Sequence, residues 1–399
     1  MDILERFLKY VSFHTDSNGE SNEIPTSEGQ TELLDYLAEE LKAIGLEDIH
    51  KSASGQLYAF LPATDKTMPG IGFIAHVDTV PCGKNVKPEI IHYEGGDIVH
   101  RNGLVSPVKI FDFMNKYVGQ DLIITDGSTV LGADDKAGVA EIMNAVEYLA
   151  AHPELAHGRI GVAFTPDEEI GRSSKGFDIK GFGMDYAYTL DGSTLGNVEC
   201  ENFNGASAKV RFNGISVHPG ASKNKMKSAI LLANEFINML PQGEDPAHTE
   251  DHEGFYHVTG LTAQVAEAEL RIILRDHDIK KLEHKKDVVL KIAEFLNAKY
   301  GEDTVIVDMK DGARNMKEFI EDKMDIVYKA MRAFEKAGVT PRIVPIRGGG
   351  DCNVLTCAGL PCPNLSTGGE NFHGNHEFIP VAALQKMADT VINIATDRQ

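Results

Sequence analysis

The sequence GIGFIAHVDTV, residues 70–80, predicts a core strand of the fold. Its apolar residues follow one another almost without interruption, which is typical of a strand covered by helices on both faces of a sheet. Near its C-terminal end this stretch carries His76 and Asp78. Two-residue spacing in a strand puts both side chains on one face. The sequence therefore predicts a buried strand whose end carries a histidine and a carboxylate.

The segments on either side of this strand alternate between strand and helix patterns. Strands are predicted at residues 56–62, 159–166 and 185–191, and an amphipathic helix is predicted at 136–151. Alternation of this kind is typical of an α/β domain with a mostly parallel sheet.

The pattern changes after residue 205. Strands are predicted at 206–212, 255–264, 267–276 and 303–309, with helices at 222–240 and 278–299. The order β-α-β-β-α-β is that of a ferredoxin-like unit. The turn-rich tail at 342–379 is too poor in apolar residues for a core of its own. We therefore expect residues 206–311 to be a domain inserted into a larger one made of 1–205 and 312–399.

Acidic residues and histidines follow several of the predicted strands. They occur in LGADDKAG (131–138), FTPDEEIG (164–171), YTLDG (188–192) and NFHGNHEF (371–378). Each group alone has an ordinary explanation, such as acidic residues at a helix N-terminus or a solvated loop. Together with His76 they make an inventory of histidines and carboxylates that suits a hydrolytic site with two metal ions.

The charge balance excludes some classes of partner. The 399 residues include 39 basic and 60 acidic side chains, a formal net charge of −21. Such a surface repels phosphate backbones and anionic lipids, so we expect neither nucleic acid nor a membrane as partner.

The cysteines and the N-terminus indicate a reducing compartment. The five cysteines are Cys82, Cys200, Cys352, Cys357 and Cys362, and no CxxC pair occurs among them. We interpret the last three as small buried apolar groups. The N-terminal MDILERFLKYV lacks the pattern of a signal peptide, and no apolar run is long enough to span a bilayer. A cytoplasmic location is expected.

A series of ordered motifs resembles the M20 family of zinc metallopeptidases, in particular its aminotripeptidases. The motifs are HVDT (76–79), ITDG (124–127), LGADDKAG (131–138), AFTPDEE (163–169), ENFN (201–204), VHPG (217–220), EGFYH (253–257), NM (315–316), PIRGG (345–349), GLPCPN (359–364) and HGNHEF (373–378). The resemblance runs almost from end to end. It implies hydrolysis of the N-terminal residue from tripeptides, with small peptides as substrates.

The resemblance also implies a set of site residues. Two Zn²⁺ ions per chain, with Co²⁺ or Mn²⁺ as possible substitutes, would be held by His76, Asp134, Glu169, Asp191 and His373. Asp134 would bridge the metals and precede a cis peptide bond to Asp135. Glu168 would be the general base, and Asp78 the carboxylate behind His76.

The inserted domain would act as a lid and dimerisation domain, so a homodimer is expected. His218, Arg275 and Arg347 match substrate-binding positions of the family. Two departures lie beside these positions: RGGGDC (347–352) replaces the usual RGGTDG, and Glu370-Asn371-Phe372 stands where aromatic residues are usual. Another M20 amidohydrolase, such as a dipeptidase or an N-deacylase, remains as the alternative function.

Overall fold

The computed structural model describes residues 1–81 and 85–398, so Cys82 lies outside the described residues. The strands are β1 (Glu47–Lys51), β2 (Leu57–Leu61), β3 (Ile71–His76), β4 (Pro88–Tyr93), β5 (Ile98–Val99), β6 (Val105–Ser106), β7 (Gln120–Thr125), β8 (Ile160–Thr165), β9 (Tyr186–Gly192), β10 (Asn197–Glu199), β11 (Asn204–Asn213), β12 (Phe255–Ala263), β13 (Glu267–Asp276), β14 (Val305–Asp311), β15 (Arg342–Ile343), β16 (Asn364–Ser366) and β17 (Ile379–Pro380). The α-helices are α1 (Ile3–Val11), α2 (Glu28–Ile44), α3 (Ala133–Ala151), α4 (Ile179–Phe182), α5 (Ala229–Met239), α6 (Ile279–Tyr300), α7 (Lys317–Ile320), α8 (Met324–Lys336), α9 (Asp351–Cys357) and α10 (Val381–Thr396).

The chain divides into two compact units. The first unit contains Met1–Cys200, Glu318–Val344 and the C-terminal segment from Gly350. The second unit contains Glu201–Lys317 and Pro345–Gly349. The segment 345–349, which the sequence analysis assigned to the larger domain, therefore packs with the second unit.

The first unit is built on a large mixed sheet. Its strand order is β1-β2-β8-β3-β9-β16-β10-β15. The neighbours β8, β3, β9 and β16 at its centre run parallel, while β1, β2 and β10 add antiparallel pairs. Every residue of β3 is buried, as its apolar sequence predicts. The prediction of an α/β domain with a mostly parallel sheet is confirmed.

A smaller sheet of the first unit was not predicted. It has the order β17-β7-β4, with β7 antiparallel to both neighbours. Its central strand leads into the segment before α3, and β17 leads out of the His-rich turn near the C-terminus. This sheet therefore supports two loops that the sequence analysis could not place.

The second unit has the ferredoxin-like arrangement that its element order predicts. Its four described strands form an antiparallel sheet of order β12-β13-β11-β14. Buried and exposed residues alternate along β11, and the buried ones join residues of α5 and α6 in one core.

One helix of the second unit begins later than predicted. The pattern suggested a helix over 222–240, whereas α5 begins at Ala229. The main chain of Lys227 exchanges hydrogen bonds with Ile215 in both directions, at 2.7 and 3.0 Å. These bonds hold residues before Ala229 in an extended bridge rather than a helical turn.

Within residues 1–81 and 85–398, no helix is both long and apolar enough to cross a bilayer. Cys352 and Cys362 are buried free thiols, as predicted, while Cys357 is only half-buried.

Candidate metal centre

Three neighbouring parallel strands bring a histidine and several carboxylates to one edge of the large sheet. His76 is the last residue of β3, which lies between β8 and β9. Strand β8 runs into the turn that carries Glu168 and Glu169, and Asp191 lies near the end of β9. Because the carboxyl ends of parallel strands meet at one edge, these side chains converge.

Asp134 enters the same region from the start of α3. The peptide bond between Asp134 and Asp135 is cis, as the family resemblance implied. The Asp135 carboxylate accepts a hydrogen bond from the main-chain N–H of His76 at 3.0 Å. A Cβ at Gly138 would lie 2.2 Å from the carbonyl oxygen of Leu190, so the helix start approaches β9 very closely.

Two groups of potential ligands share Asp134. In the first, His76 Nε2 lies 3.0 Å from Asp134 Oδ1 and 3.4 Å from Asp191 Oδ1. In the second, His373 Nε2 lies 3.0 Å from Asp134 Oδ2 and 3.1 Å from Glu169 Oε2. Within each group the ligand atoms lie within 4.8 Å of one another. Asp134 thus offers one oxygen to each group, which is the geometry of a bridging carboxylate.

Asp78 supports both the histidine and the acidic turn. His76 Nδ1 lies 3.0 Å from the carbonyl oxygen of Asp78 and 3.3 Å from its Oδ1. Because Nδ1 is engaged by Asp78, Nε2 faces the carboxylates. A histidine that binds a metal through one ring nitrogen usually directs the other nitrogen to a carboxylate or a carbonyl oxygen. The two carboxylate oxygens of Asp78 accept main-chain hydrogen bonds from Glu168 at 2.8 Å and from Glu169 at 3.1 Å.

Glu168 lies beside the two groups but belongs to neither. Burial and the nearby charge of Asp191 raise the pKa of the Glu168 carboxyl well above its usual value. A Cβ at Gly350 would lie 3.2 Å from Glu168 Oε1. The absence of a side chain at this position therefore leaves space next to the carboxylate.

The crowded carboxylates perturb one another. Burial raises the pKa of Asp191 to about 7, although His76 opposes the shift. Burial opposes the charged form of His76, but Asp191 and Asp134 raise its pKa well above the usual value. Hydrogen bonds to Asp134 and Glu169 raise the pKa of His373 to about 10. Burial disfavours the carboxylate form of Asp134, yet His373 and His76 lower its pKa.

These observations fit two bound divalent cations. Carboxylates crowded together repel one another unless cations neutralise them, and divalent metal ions would supply that positive charge here. Glu169 Oε1 is buried and has no hydrogen-bond partner among the described residues, so it has unused capacity for a ligand. Imidazole and carboxylate donors together suit zinc, cobalt or manganese.

The other three predicted residues lie in the second unit. His218 is exposed and accepts a 3.2 Å hydrogen bond from the main-chain N–H of Gly220. Arg275 donates to the carbonyl oxygens of Leu274 at 2.9 Å and Ala206 at 3.3 Å.

Arg347 is engaged within the second unit. It donates to the carbonyl oxygens of Asp251, Glu253 and Thr249 and to the Thr249 hydroxyl, at 2.8–3.2 Å. Its guanidinium also lies over the rings of Phe203 and Phe255. Its donors therefore hold the loop at 249–253.

Asp167 is a supporting residue that the sequence analysis did not assign. It is buried in a left-handed conformation, with φ of 61°. Its carboxylate accepts hydrogen bonds from Thr26 N at 3.0 and 3.2 Å, from the Thr26 hydroxyl, and from Gln30 Nε2 at 2.8 Å. Its position in FTPDEEIG, directly before the two glutamates, was the available signal.

Comparison with known proteins identifies related sequences and structures. Residues 200–304 match the family described as the peptidase dimerisation domain. Peptidase T of Caldanaerobacter subterraneus subsp. tengcongensis is 50% identical over 98% of this chain and 97% of its own length. Peptidase T of Halothermothrix orenii is also 50% identical, over 98% of each chain. The crystal structure of aminopeptidase PepT from Bacillus cereus ATCC 10987 superposes with a TM-score of 0.79 at 25% identity, covering 99% of this chain and 97% of that one.

Proposed function

This chain belongs to the peptidase T family of M20 metallopeptidases, and we propose that it releases the N-terminal residue of tripeptides at a centre of two metal ions. As a member of that family it is a peptide hydrolase, a metallo-aminopeptidase. The tripeptide as substrate, the two ions and the role of each residue are parts of the proposal.

The observation that carries the proposal is the pair of ligand groups that share Asp134. We propose that His76, Asp134 and Asp191 hold one ion and that Asp134, Glu169 and His373 hold the other. Zinc is the proposed ion, at two per chain, and cobalt or manganese could replace it. Bound there, the ions would polarise the scissile carbonyl and lower the pKa of the attacking water.

The proposed general base is Glu168. Its carboxylate lies outside both ligand groups, whereas Glu169 Oε2 faces His373. Because a carboxylate that binds a metal is a poor base, we assign Glu169 as the ligand and Glu168 as the base. Glu168 would accept a proton from the attacking water and donate it to the leaving amine. Asp78 would hold the main chain of both glutamates in place.

The substrate-binding roles of the second unit also belong to the proposal. We propose that His218 stabilises the oxyanion and that Arg275 and Arg347 recognise the C-terminal carboxylate of the peptide. Residues 206–311 would act as a lid and dimerisation domain, and 1–205 with 312–399 as the catalytic domain. The match of residues 200–304 to a dimerisation domain supports a homodimer. A cytoplasmic location completes the proposal.

A peptide panel with metal-free protein tests the function. After prolonged chelation we expect no hydrolysis. We expect Zn²⁺, Co²⁺ or Mn²⁺ to restore it, because the proposed reaction requires divalent ions in the two ligand groups. With metal present, free tripeptides should be cleaved faster than di- or tetrapeptides, and mass spectrometry should identify the N-terminal amino acid as product.

The same panel separates the alternatives. An N-acetylated tripeptide should not be cleaved, since an aminopeptidase requires a free N-terminal amine. Cleavage of the acetyl group would indicate an N-deacylase, and preference for dipeptides would indicate a dipeptidase. Full activity in protein shown by elemental analysis to be metal-free would overturn the proposed mechanism.

A further inference from the structure

The turn that carries His373 needs support from outside itself. Asn371 and His373 both have left-handed backbones, with φ of 57° and 64°. Residues other than glycine adopt this conformation only uncommonly, although asparagine and histidine do so more readily than most. The side chain of His373 is also 55% exposed, so little packing restrains its ring. Yet His373 Nε2 lies within 3.1 Å of both Asp134 and Glu169.

One support comes from Glu377, which is buried at the end of the turn. Its Oε2 accepts main-chain hydrogen bonds from Leu131 at 2.6 Å and Gly132 at 2.8 Å. Its Oε1 accepts a third, from Asp134 N at 3.1 Å. The carboxylate therefore ties the His373 turn to the segment that positions Asp134.

A second support is a chain of hydrogen bonds between the side chains of His100, Ser106 and His376, here called the relay. His100 Nδ1 lies 2.8 Å from the carbonyl oxygen of Thr125, which can only accept, so Nδ1 donates. With Nδ1 donating, Nε2 of His100 can accept from the hydroxyl of Ser106, at 2.8 Å. The Ser106 oxygen in turn accepts from His376 Nδ1, also at 2.8 Å.

Two of the three side chains of the relay are enclosed, and the third, His376, is half-buried and lies in the turn itself. His100 and Ser106 are 3% and 2% exposed. The carbonyl oxygen of His376 accepts a bond from Asn371 Nδ2 at 3.2 Å, and the Phe111 ring packs 5.1 Å from the His376 ring. Movement of His376 would therefore displace the residues on either side of His373.

We propose that His100 and Ser106 are positioning residues of the second metal site: through His376 they hold the turn in which His373 can bind metal. This inference rests on the proposed function, because it takes His373 as a ligand. In this proposal His376 is not a metal ligand; its Nδ1 donates to Ser106 and so anchors the turn. Outer hydrogen-bond partners of this kind commonly change metal affinity by about 10–100-fold.

The test compares metal binding by variants of the full chain. Ser106→Ala removes the central hydroxyl of the relay. The matched control is Thr129→Val, because the Thr129 hydroxyl is also buried but has no partner among the described residues. His100→Asn interrupts the relay at another point, and His373→Ala removes the proposed ligand itself. Metal affinity is measured by competition with a chromophoric chelator, and thermal melting of the metal-free proteins checks the fold.

We expect Thr129→Val to bind two ions as tightly as the parent. Ser106→Ala and His100→Asn should bind one ion normally and the other about 10–100-fold more weakly, with recovery in excess metal. His373→Ala should show the same pattern in a more severe form.

Each other outcome contradicts a specific part of the inference. Normal affinity for both ions in Ser106→Ala would overturn the relay, as would equal weakening of both ions. If His373→Ala retains both ions at full affinity, the proposed ligand set fails, and the relay proposal fails with it.

Discussion

Asp78 connects the parts of the candidate centre at the scale of single residues. Its main-chain carbonyl oxygen contacts His76 Nδ1, and its carboxylate accepts hydrogen bonds from the main-chain N–H groups of Glu168 and Glu169. One buried residue thus orients a proposed ligand through its main-chain carbonyl oxygen and positions both glutamates of the acidic turn through its carboxylate.

Exchange of each glutamate for glutamine separates base from ligand. Glu168→Gln keeps the shape and removes the proton acceptor, so metal content should stay at two while turnover falls by about 10²–10⁴-fold. Glu169→Gln removes an anionic ligand, so affinity for one ion should fall and excess metal should restore part of the activity. Elemental analysis and steady-state kinetics on both variants measure this. Loss of metal in Glu168→Gln with both ions kept in Glu169→Gln would reverse the assignment.

Gly350 is a second residue with a direct consequence for the site. Its Cβ would lie 3.2 Å from Glu168 Oε1 and 3.6 Å from Asp191 Oδ2. Gly350→Ala should therefore displace Glu168 and lower kcat by about tenfold, a loss of about 1.4 kcal/mol, with two ions still bound. Gly348→Ala is the matched control, because nothing described lies within 4 Å of a Cβ there. Equal kcat in the two variants would show that the space beside Glu168 is not needed.

At the scale of elements, α3 combines the start of the metal centre with the core of the first unit. Asp134 lies in its first turn, and the helix is buried along most of its length. It packs against β3, α1 and α10. Glu141 lies in the middle of this helix, fully buried, and neither carboxylate oxygen has a hydrogen-bond partner among the described residues.

The buried Glu141 predicts how stability depends on pH. Burial raises the pKa of the Glu141 carboxyl well above its usual value. The folded state then holds a proton that the unfolded state releases, so the free energy of unfolding decreases as pH rises from about 4.5 through the folded-state pKa. Glu141→Gln keeps the shape without ionising. Its stability relative to the parent should increase with pH, by at most about 1.4 kcal/mol per pH unit.

Urea unfolding between pH 5 and 9 measures this difference. The control is Glu32→Gln, since Glu32 is exposed on α2. A difference between parent and Glu141→Gln that stays constant with pH would show that Glu141 does not take up a proton on folding.

At the scale of the whole molecule, self-association is the main prediction. Residues 200–304 match a peptidase dimerisation domain, and β12 and β14 are the outer strands of the second unit's sheet. Outer strands carry unpaired main-chain groups that a second chain can use. We expect light scattering to give twice the 43.6 kDa of one chain. The measurement should include high salt, because a net charge of −21 opposes association at low ionic strength. A monomer at all concentrations and salt levels would contradict the prediction.

Much of the architecture could be read from local patterns. The continuous apolar run before His76 indicated a strand covered on both faces, and the structure has every residue of β3 buried. The alternation along β11 and the order of its neighbours indicated the ferredoxin-like unit, which the antiparallel sheet confirms. Alternation was sufficient for β11 because that strand buries one face, and the unbroken apolar run was sufficient for β3 because both of its faces are buried.

The fold class, the family and the inventory of histidines and carboxylates were all predictable from the amino-acid sequence, because they depend on spacing and on ordered motifs. The family resemblance implied which side chains would be ligands, but the residues that hold those side chains in place are determined by the folded chain. His373 lies far along the chain from Asp134, and its turn depends on Glu377, His376 and Ser106. Likewise, Arg347 holds the loop at 249–253 through its main-chain carbonyls, a contact that no local pattern indicates. Hydrogen bonds between distant segments form only once the sheets have brought those segments together, and that is why sequence spacing could not predict them.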